Sequence, residues 1–360
     1  MNMKGTLMPT KLLNNAIDAL SLTAPIIQAP MAGGATTPEL IAGVSNAGGL
    51  GSLGAAFLDA ESLDKTLAEI KKLTNKPFLV NLFVPERHEL DSRKLAVMKA
   101  KLAPCCNQLG IYLPELDEPF YQDFEAQLEV LLYHKVPVVS FIFGAPDTAL
   151  LKPFKDPGVV LVGTATSIEE AKYLEDRGMD AVVAQGYEAG GHRGTFLRPI
   201  EESLMGTLAL TRQISLSVAI PIIAAGGIMD GKGIKAALTL GATAVQMGTA
   251  FLSCPEAGVP ECYKRELMKQ CRDKTRLTKV ITGRYARGIY NEFIDMLSDV
   301  SDNILDFPIQ SALTKPIRKA AAVAEKPQFM SLWAGQGASQ SRGMPVTDLV
   351  AQLMRELDEA

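Results

Sequence analysis

The 360-residue chain is poor in several features that would assign it quickly to a function class. It has three histidines and five cysteines, and no two cysteines show the CxxC spacing of zinc or redox motifs. We therefore expect no disulfide framework, no metal site and a cytoplasmic location. The formal net charge of −4 is mild, which argues against a nucleic-acid or anionic-membrane partner. No apolar run approaches the ~18 residues that a membrane span needs.

Short runs rich in Val, Ile, Leu and Ala recur, with helical patterns between most of them. They predict eight strands, at residues 25–31, 50–55, 77–83, 136–144, 159–166, 181–186, 221–228 and 244–252. The runs do not alternate polar and apolar residues, so both faces would be buried, as in a parallel sheet. Residues 167–178 and 230–241 have the pattern of intervening helices. This order predicts a (β/α)8 TIM barrel; a doubly wound sheet is the competing architecture.

Two stretches do not fit the repeating unit. Residues 84–125 are too long for a βα loop and predict a helical insertion after the third strand. We expect residues 1–255 to form the barrel and residues 256–360 to form a mainly helical cap on it. A glycine-rich loop at 335–343 in this cap is expected to return to the active site. The first 22 residues are amphipathic and lack the apolar core and cleavage site of a secretory signal.

Active sites of such barrels lie at the carboxyl ends of the strands. Here those ends are rich in glycine and almost free of acids. The loops after the seventh and eighth strands contain Gly226-Gly227 and Gly248-Thr249. Glycine there lets backbone N–H groups approach a phosphate, although ordinary tight turns are the alternative.

Three amide side chains, those of Asn81, Gln185 and Gln246, lie at or near strand ends. A primary amide donates and accepts at once, which suits the edge of a flavin isoalloxazine ring. The alternative is that each side chain only caps the polar rim of the barrel.

His192 lies in "QGYEAGGHRGTF", within a long loop that follows the sixth strand. A neutral imidazole can take a proton from an acidic carbon, and a charged one can hydrogen-bond an anion. A histidine that only fixes its loop is the alternative.

Seven segments occur in order along nearly the whole chain: "PIIQAPMAGG", "NLFVP", "FIFG", "GYEAGGHRG", "PIIAAGGI", "QMGTAFL" and "LWAGQG". Together they resemble the nitronate monooxygenases, formerly called 2-nitropropane dioxygenases, and two of them resemble class I. The resemblance implies an FMN-dependent oxidoreductase that uses O2 to convert alkyl nitronates to carbonyl compounds and nitrite. It suggests propionate 3-nitronate as the substrate.

The resemblance also implies cofactor contacts at ten positions: Met31, Asn81, Gln185, Gly190, Gly227, Gln246, Met247, Gly248, Thr249 and Gly335. It makes His192 the group that deprotonates a nitroalkane or contacts the nitronate. It implies a lysine from the C-terminal part, for which Lys315 is our candidate. The alternative is a solvated basic face formed by this lysine with Arg318 and Lys319. Three aromatic residues are further candidates: Tyr187, Tyr285 and Trp333.

Other functions stay open from the sequence. An NAD(P)H-dependent flavin reductase of the same fold would act on enoyl-ACP or quinones. A flavin-free barrel would use the same loops to hold a phosphorylated metabolite. The expected partners are a small nitronate and O2, and we also consider a homo-oligomer.

Overall fold

The computed structural model describes residues 22–116, 118–156, 158–269 and 274–360. The amphipathic segment predicted for residues 1–22 lies outside these ranges except for its last residue. All eight predicted strands are present: β1 (Ile26–Gln28), β2 (Gly51–Gly54), β3 (Phe78–Phe83), β4 (Val138–Ile142), β5 (Val160–Ala165), β6 (Ala181–Gln185), β8 (Ile222–Ala225) and β9 (Ala244–Met247). They form one sheet in the order β1-β9-β8-β6-β5-β4-β3-β2.

The sheet closes into a barrel. Its neighbouring strands pair in parallel, and a parallel bridge between Ile27 and Leu50 links the two edges. The architecture is the predicted (β/α)8 TIM barrel. The runs lack alternation because both faces are buried: Leu79, Val183 and Ile223 point into one cluster inside the barrel. Each such side chain contributes about 1.5–3 kcal/mol when fully buried.

Helices cover the outside of the barrel between successive strands: α1 (Pro38–Asn46), α2 (Ala60–Leu73), α4 (Phe124–Tyr133), α5 (Thr148–Lys155), α6 (Ile168–Asp176), α7 (Thr207–Ser215) and α8 (Gly231–Thr239). The predicted signals act as expected. The Ser167 hydroxyl accepts from the Glu170 N–H at the start of α6. The α8 helix is capped in the same way by Asp230, which accepts from the Gly233 N–H at 2.8 Å.

One predicted strand is partly wrong. Residues 244–252 were expected to be extended throughout, but β9 ends at Met247 and a short helix, α9 (Thr249–Leu252), follows. All four residues of α9 are buried. The run therefore stays apolar after the strand has ended, and periodicity alone does not separate a buried helix from a buried strand.

The insertion contains α3 (Ser92–Leu109), whose Met98 and Leu102 share a hydrophobic cluster with Leu313 and Ile317. The chain after β9 forms α10 (Glu261–Met268), α11 (Glu292–Ser298), α12 (Ile309–Val323) and α13 (Val346–Glu359). It also forms β10 (Thr275–Thr278) and β11 (Ala286–Ile289), which make an antiparallel sheet with β7 (Gly191–His192). Short 3-10 turns occur at Ile200–Glu202, Ser301–Asn303, Pro327–Phe329 and Ala338–Gln340. Within the described ranges, no helix is long and apolar enough to cross a membrane.

Candidate active site

The parallel register brings the predicted amide side chains to one end of the barrel. Gln185 of β6 lies opposite Ala225 of β8, and Ala225 lies opposite Gln246 of β9. Asn81 lies opposite Ser140 in the same way, two residues before the end of β3. The carboxyl ends of these strands therefore form a common mouth, as in other barrels of this class.

Gln185 fixes the loop that carries His192. Its Nε2 donates to the carbonyl oxygen of His192 at 2.9 Å, and its Oε1 accepts from the Gly194 N–H at 2.8 Å. On the other side, His192 pairs with Ala286 of β11. Two separate elements thus hold the backbone around the imidazole.

Arg193, the next residue, holds the same loop from the protein interior. Its side chain is buried and donates to the carbonyl oxygens of Gln185 and Ser203. Burial lowers its pKa to about 10. Of these two adjacent residues, Arg193 therefore has a structural role in holding the loop that carries His192.

Four aromatic rings surround the imidazole of His192. The ring centroids of Phe83, Phe143, Phe307 and Trp333 lie 5.9, 6.0, 5.6 and 5.8 Å from it. They come from the end of β3, the turn after β4 and two parts of the chain after β9. Their tilted and edge-on arrangement is the one that aromatic pairs prefer. The imidazole therefore lies in a largely apolar enclosure.

The hydroxyl of Thr282 selects one tautomer of His192. It donates its only proton to the carbonyl oxygen of Arg284 at 3.0 Å. The hydroxyl oxygen of Thr282 lies 3.0 Å from Nε2 of His192. Because its own proton is already donated, this oxygen must accept from an Nε2–H group. The Nδ1 atom then carries the lone pair, and no described residue donates to it. The geometry leaves a neutral imidazole with a free basic nitrogen.

The environment also disfavours the charged imidazolium. Burial is the main cause that lowers the pKa of His192 to about 3, and the guanidinium groups of Arg284 and Arg318 add to it. Arg284 lies 3.8 Å above the Phe143 ring and pairs with Glu86 at 2.8 Å. Near neutral pH the imidazole is therefore a potential base and not a cation for anion binding.

Backbone N–H groups without partners occur where phosphate binding was predicted. Gly226 and Gly227 have φ values of +129° and +69°, a conformation that favours glycine. Neither the Gly227 N–H nor the Gly248 N–H has an acceptor among the described residues. The hydroxyl of Thr249 accepts from the Gly335 N–H at 2.9 Å and keeps its own proton available.

The glycine-rich loop at 335–343 contacts the loop after β6 at close range. A Cβ on Gly190 would lie 2.5 Å from the Gly335 nitrogen, and one on Gly335 would lie 2.8 Å from the Glu188 carbonyl oxygen. The Gln336 N–H donates to that same carbonyl oxygen at 2.9 Å. Only glycine permits these two loops to touch.

The remaining predicted positions are near this mouth. Met247 is fully buried, and its carbonyl oxygen accepts from the Ala29 N–H at 2.9 Å. The Sδ of Met31 lies 3.7 Å from the place where a Cβ on Gly248 would be. Asn81 donates from Nδ2 to the Ser140 carbonyl oxygen and hydroxyl, so its Oδ1 stays free as an acceptor.

No group of three or more His, Cys, Asp or Glu side chains that could hold a metal ion occurs in the part of the chain that the structure describes. The cysteines within that part, Cys105, Cys106, Cys254 and Cys262, are buried free thiols.

A family model described as nitronate monooxygenase matches residues 14–356. The chain belongs to the nitronate monooxygenase family. It is 42% identical to a "Probable nitronate monooxygenase" of Staphylococcus saprophyticus subsp. saprophyticus, over 97% of this chain and 99% of that one. It is thus an oxidoreductase, and nitronate oxidation is the activity that the family supports.

Two solved structures share the fold of this chain. A nitroalkane oxidase from Streptomyces ansochromogenes superposes with a TM-score of 0.89 at 41% identity, over 96% of this chain and 98% of that one. FabK from Thermotoga maritima superposes with a TM-score of 0.74 at 31% identity, over 96% of each chain. The likeness is greater to the nitroalkane oxidase on both measures.

The structure places two arginines near His192, in addition to the lysine named from the sequence. Lys315, the predicted lysine, has an exposed side chain on α12. The positive charges that lower the pKa of His192 are instead those of Arg284 and Arg318. A catalytic role for Lys315 stays a prediction. Among the candidate tyrosines, Tyr187 stacks against Arg287: the guanidinium carbon of Arg287 lies 4.3 Å from the centroid of the Tyr187 ring.

Sequence reasoning missed most of what surrounds His192. Phe83 and Phe143 lie within the quoted segments "NLFVP" and "FIFG", so their position at predicted strand ends was a usable signal. Thr282 and Phe307 had none, because no local pattern relates them to the loop after β6. Arg318 had a partial signal, since helical periodicity places it on one face with Thr314.

Proposed function

We propose that the protein binds FMN non-covalently and oxidises alkyl nitronates with O2, giving a carbonyl compound and nitrite. The observation that carries this proposal is the neutral His192 in its aromatic enclosure, at the same end of the barrel as backbone N–H groups suited to a phosphate. The family membership supports the same activity.

The residues of the barrel mouth fit a flavin mononucleotide. The unpartnered N–H groups of Gly227 and Gly248 and the Thr249 hydroxyl would hold the phosphate. The free Oδ1 of Asn81 and the half-buried amide of Gln246 would contact the polar edge of the ring. When bound, the flavin supplies the redox chemistry, and the protein supplies position and electrostatics. We propose close contacts also at Met31, Gln185, Gly190, Met247 and Gly335.

His192 would act at Nδ1. With a neutral nitroalkane, this lone pair would accept the α-proton while Thr282 holds the Nε2–H. With a preformed nitronate there is no proton to remove, and the imidazole would only orient the anion. Since its pKa is about 3, His192 is a weak base, which favours the nitronate over the nitroalkane as substrate.

The surrounding rings would exclude water from the reacting carbon. Phe83, Phe143, Phe307 and Trp333 contribute little polar surface, so electrostatic interactions inside the enclosure are weakly screened. Arg284 and Arg318 give this apolar space a positive potential that suits an anionic substrate. The family resemblance suggests propionate 3-nitronate.

The second candidate is an NAD(P)H-dependent flavin reductase, because FabK shares 31% identity and most of the fold. One experiment separates the two. We expect yellow protein that releases FMN on denaturation, consumes O2 and forms nitrite with a nitronate, and is reduced only slowly by NAD(P)H without air. Colourless protein that takes up no FMN would contradict the cofactor. Fast anaerobic reduction by NAD(P)H without nitrite formation from nitronates would favour the reductase.

A further inference from the structure

Arg318 is a largely buried cation, and no carboxylate within the described ranges pairs with it. It lies in α12, and its Nη2 donates to the carbonyl oxygen and hydroxyl of Ser311 at 3.0 and 3.2 Å. Its Nε is buried and has no acceptor among the residues that the structure describes. No described carboxylate forms an ion pair with it, and burial alone lowers its pKa to about 10.

Arg284, in the same region, differs from Arg318 because a carboxylate balances its charge. Its Nη1 pairs with Glu86 at 2.8 Å, and its Nη2 donates to the Thr195 carbonyl oxygen at 2.6 Å. Arg318 has only the two oxygens of a single serine. Removing a guanidinium from water costs free energy that a neutral hydroxyl and carbonyl do not fully offset. The positive charge of Arg318 is therefore left for a ligand to complete.

The fold directs Arg318 toward the enclosure of His192. On α12, Thr314 precedes it by one helical turn and donates to the carbonyl oxygen of Ile281 at 2.7 Å. Ile281 is adjacent to Thr282, which bonds His192. The same face of α12 thus packs on the segment that fixes the imidazole. Phe307, just before α12, contacts that imidazole directly.

We propose that Arg318, together with the Ser311 hydroxyl, forms an oxyanion subsite for a carboxylate at the end of the substrate remote from the carbon that reacts at His192. A guanidinium with a free Nε–H presents a planar donor set that matches a carboxylate. The subsite makes this chain select nitronates that carry a second anionic group. The identity of that substrate rests on the proposed function. The binding of a carboxylate at Arg318 does not.

The first test needs no turnover. Propionate, an unreactive carboxylate, should raise the melting temperature of the purified protein in a concentration-dependent way. Arg318→Met should abolish that rise. Without propionate this variant should melt at or above the wild-type temperature, because it removes an uncompensated buried charge. Lys319→Met removes the same charge from an exposed position of α12 and should keep the wild-type response.

The second test compares propionate 3-nitronate with ethyl nitronate, which lacks the carboxylate. Arg318→Met should lower kcat/KM for the first substrate about 10- to 100-fold, as expected for a charge-assisted hydrogen bond. It should lower kcat/KM for ethyl nitronate by a smaller factor, because that anion loses only the positive potential of Arg318 and no contact to a carboxylate. Arg318→Lys should recover part of the loss, because it keeps the charge without the planar donors.

Equal losses on both substrates would place Arg318 on the nitronate group itself and overturn the carboxylate role. A melting temperature that propionate raises equally in wild type and Arg318→Met would also overturn it. If no nitronate is oxidised while propionate still stabilises only the proteins that retain Arg318, the proposed function fails and the subsite stands.

Discussion

The hydroxyl oxygen of Thr282 lies 3.0 Å from Nε2 of His192, although 90 residues separate the two in the chain. Because this hydroxyl already donates to the Arg284 carbonyl oxygen, the contact sets which ring nitrogen of His192 carries the proton. The two ring nitrogens consequently differ: Nε2 bonds Thr282, and Nδ1 has no hydrogen-bond partner among the described residues.

We expect Thr282→Val to lower kcat/KM for a neutral nitroalkane by about tenfold, the equivalent of one hydrogen bond of ~1.4 kcal/mol. Valine has the same shape but accepts no hydrogen bond, so the imidazole loses its anchor at Nε2. Thr282→Ser keeps the hydroxyl and should retain most of the activity. The measurement is kcat/KM across pH for both variants, with their melting temperatures as a check of folding. Wild-type activity in the valine variant, or equal loss in both, would contradict the anchoring role.

His192→Asn should affect the two substrate forms differently. Loss of the base should reduce nitroalkane oxidation by about 10²–10⁴-fold. Nitronate oxidation should fall much less, because no proton has to be removed. FMN should stay bound in the variant, as judged by its absorbance after gel filtration. Equal losses on nitroalkane and nitronate would refute the role as base, and no loss on either would make His192 a structural residue of its loop.

The pKa of His192 predicts a pH dependence of stability. The folded-state pKa of about 3 lies below the ordinary histidine pKa of 6.5, so between these two pH values only the unfolded chain binds the proton. The free energy of unfolding should therefore fall as the pH falls from 6.5 toward 3, by up to ~1.4 kcal/mol per pH unit for this group. Urea unfolding at pH 7, 6 and 5 should show a smaller pH slope in His192→Gln. Identical slopes would mean that the imidazole protonates in the folded protein as readily as in the unfolded one.

The barrel could be predicted because each of its units is local. An apolar run of four to eight residues, a capping residue such as Ser167 and a final glycine such as Gly178 specify one βα step without reference to the rest of the chain. Counting eight such steps then gives the architecture. The prediction failed at residues 249–252, where burial continues but the backbone turns helical.

The residues of the site could be predicted only where they lie within one short segment of the sequence. The loop sequence identifies His192, but the side chains that set its pKa and tautomer come from segments 90 or more residues later. The helix that carries Lys315, whose role stays a prediction, illustrates the limit. Lys315 and Arg318 differ by three positions, or about 60° around a helix, which leaves one exposed and turns the other inward. Their charge alone does not tell which of the two points inward. The buried residues Thr314 and Ile317 mark the inward face of the helix.

Gly227 offers a test of the phosphate site that is independent of catalysis. We expect Gly227→Val to weaken FMN binding at least about tenfold while most of the fold is retained. Its φ of +69° strains any side chain, and a Cβ there would lie 3.1 Å from the Cβ of Glu188, which displaces the N–H proposed to meet the phosphate.

Gly178→Val is the matched control. Gly178 has a φ of +81° with nothing within 4 Å of an added Cβ, and it precedes β6, at the opposite end of the barrel from the site. The backbone strain is of the same kind, ~1–3 kcal/mol, so both variants should lose similar thermal stability as apoproteins. Only Gly227→Val should lose flavin affinity in a fluorescence titration with FMN. If both variants bind FMN as the wild type does, the phosphate lies away from the β8 loop; if both lose affinity equally, the loss reflects stability and not the phosphate site.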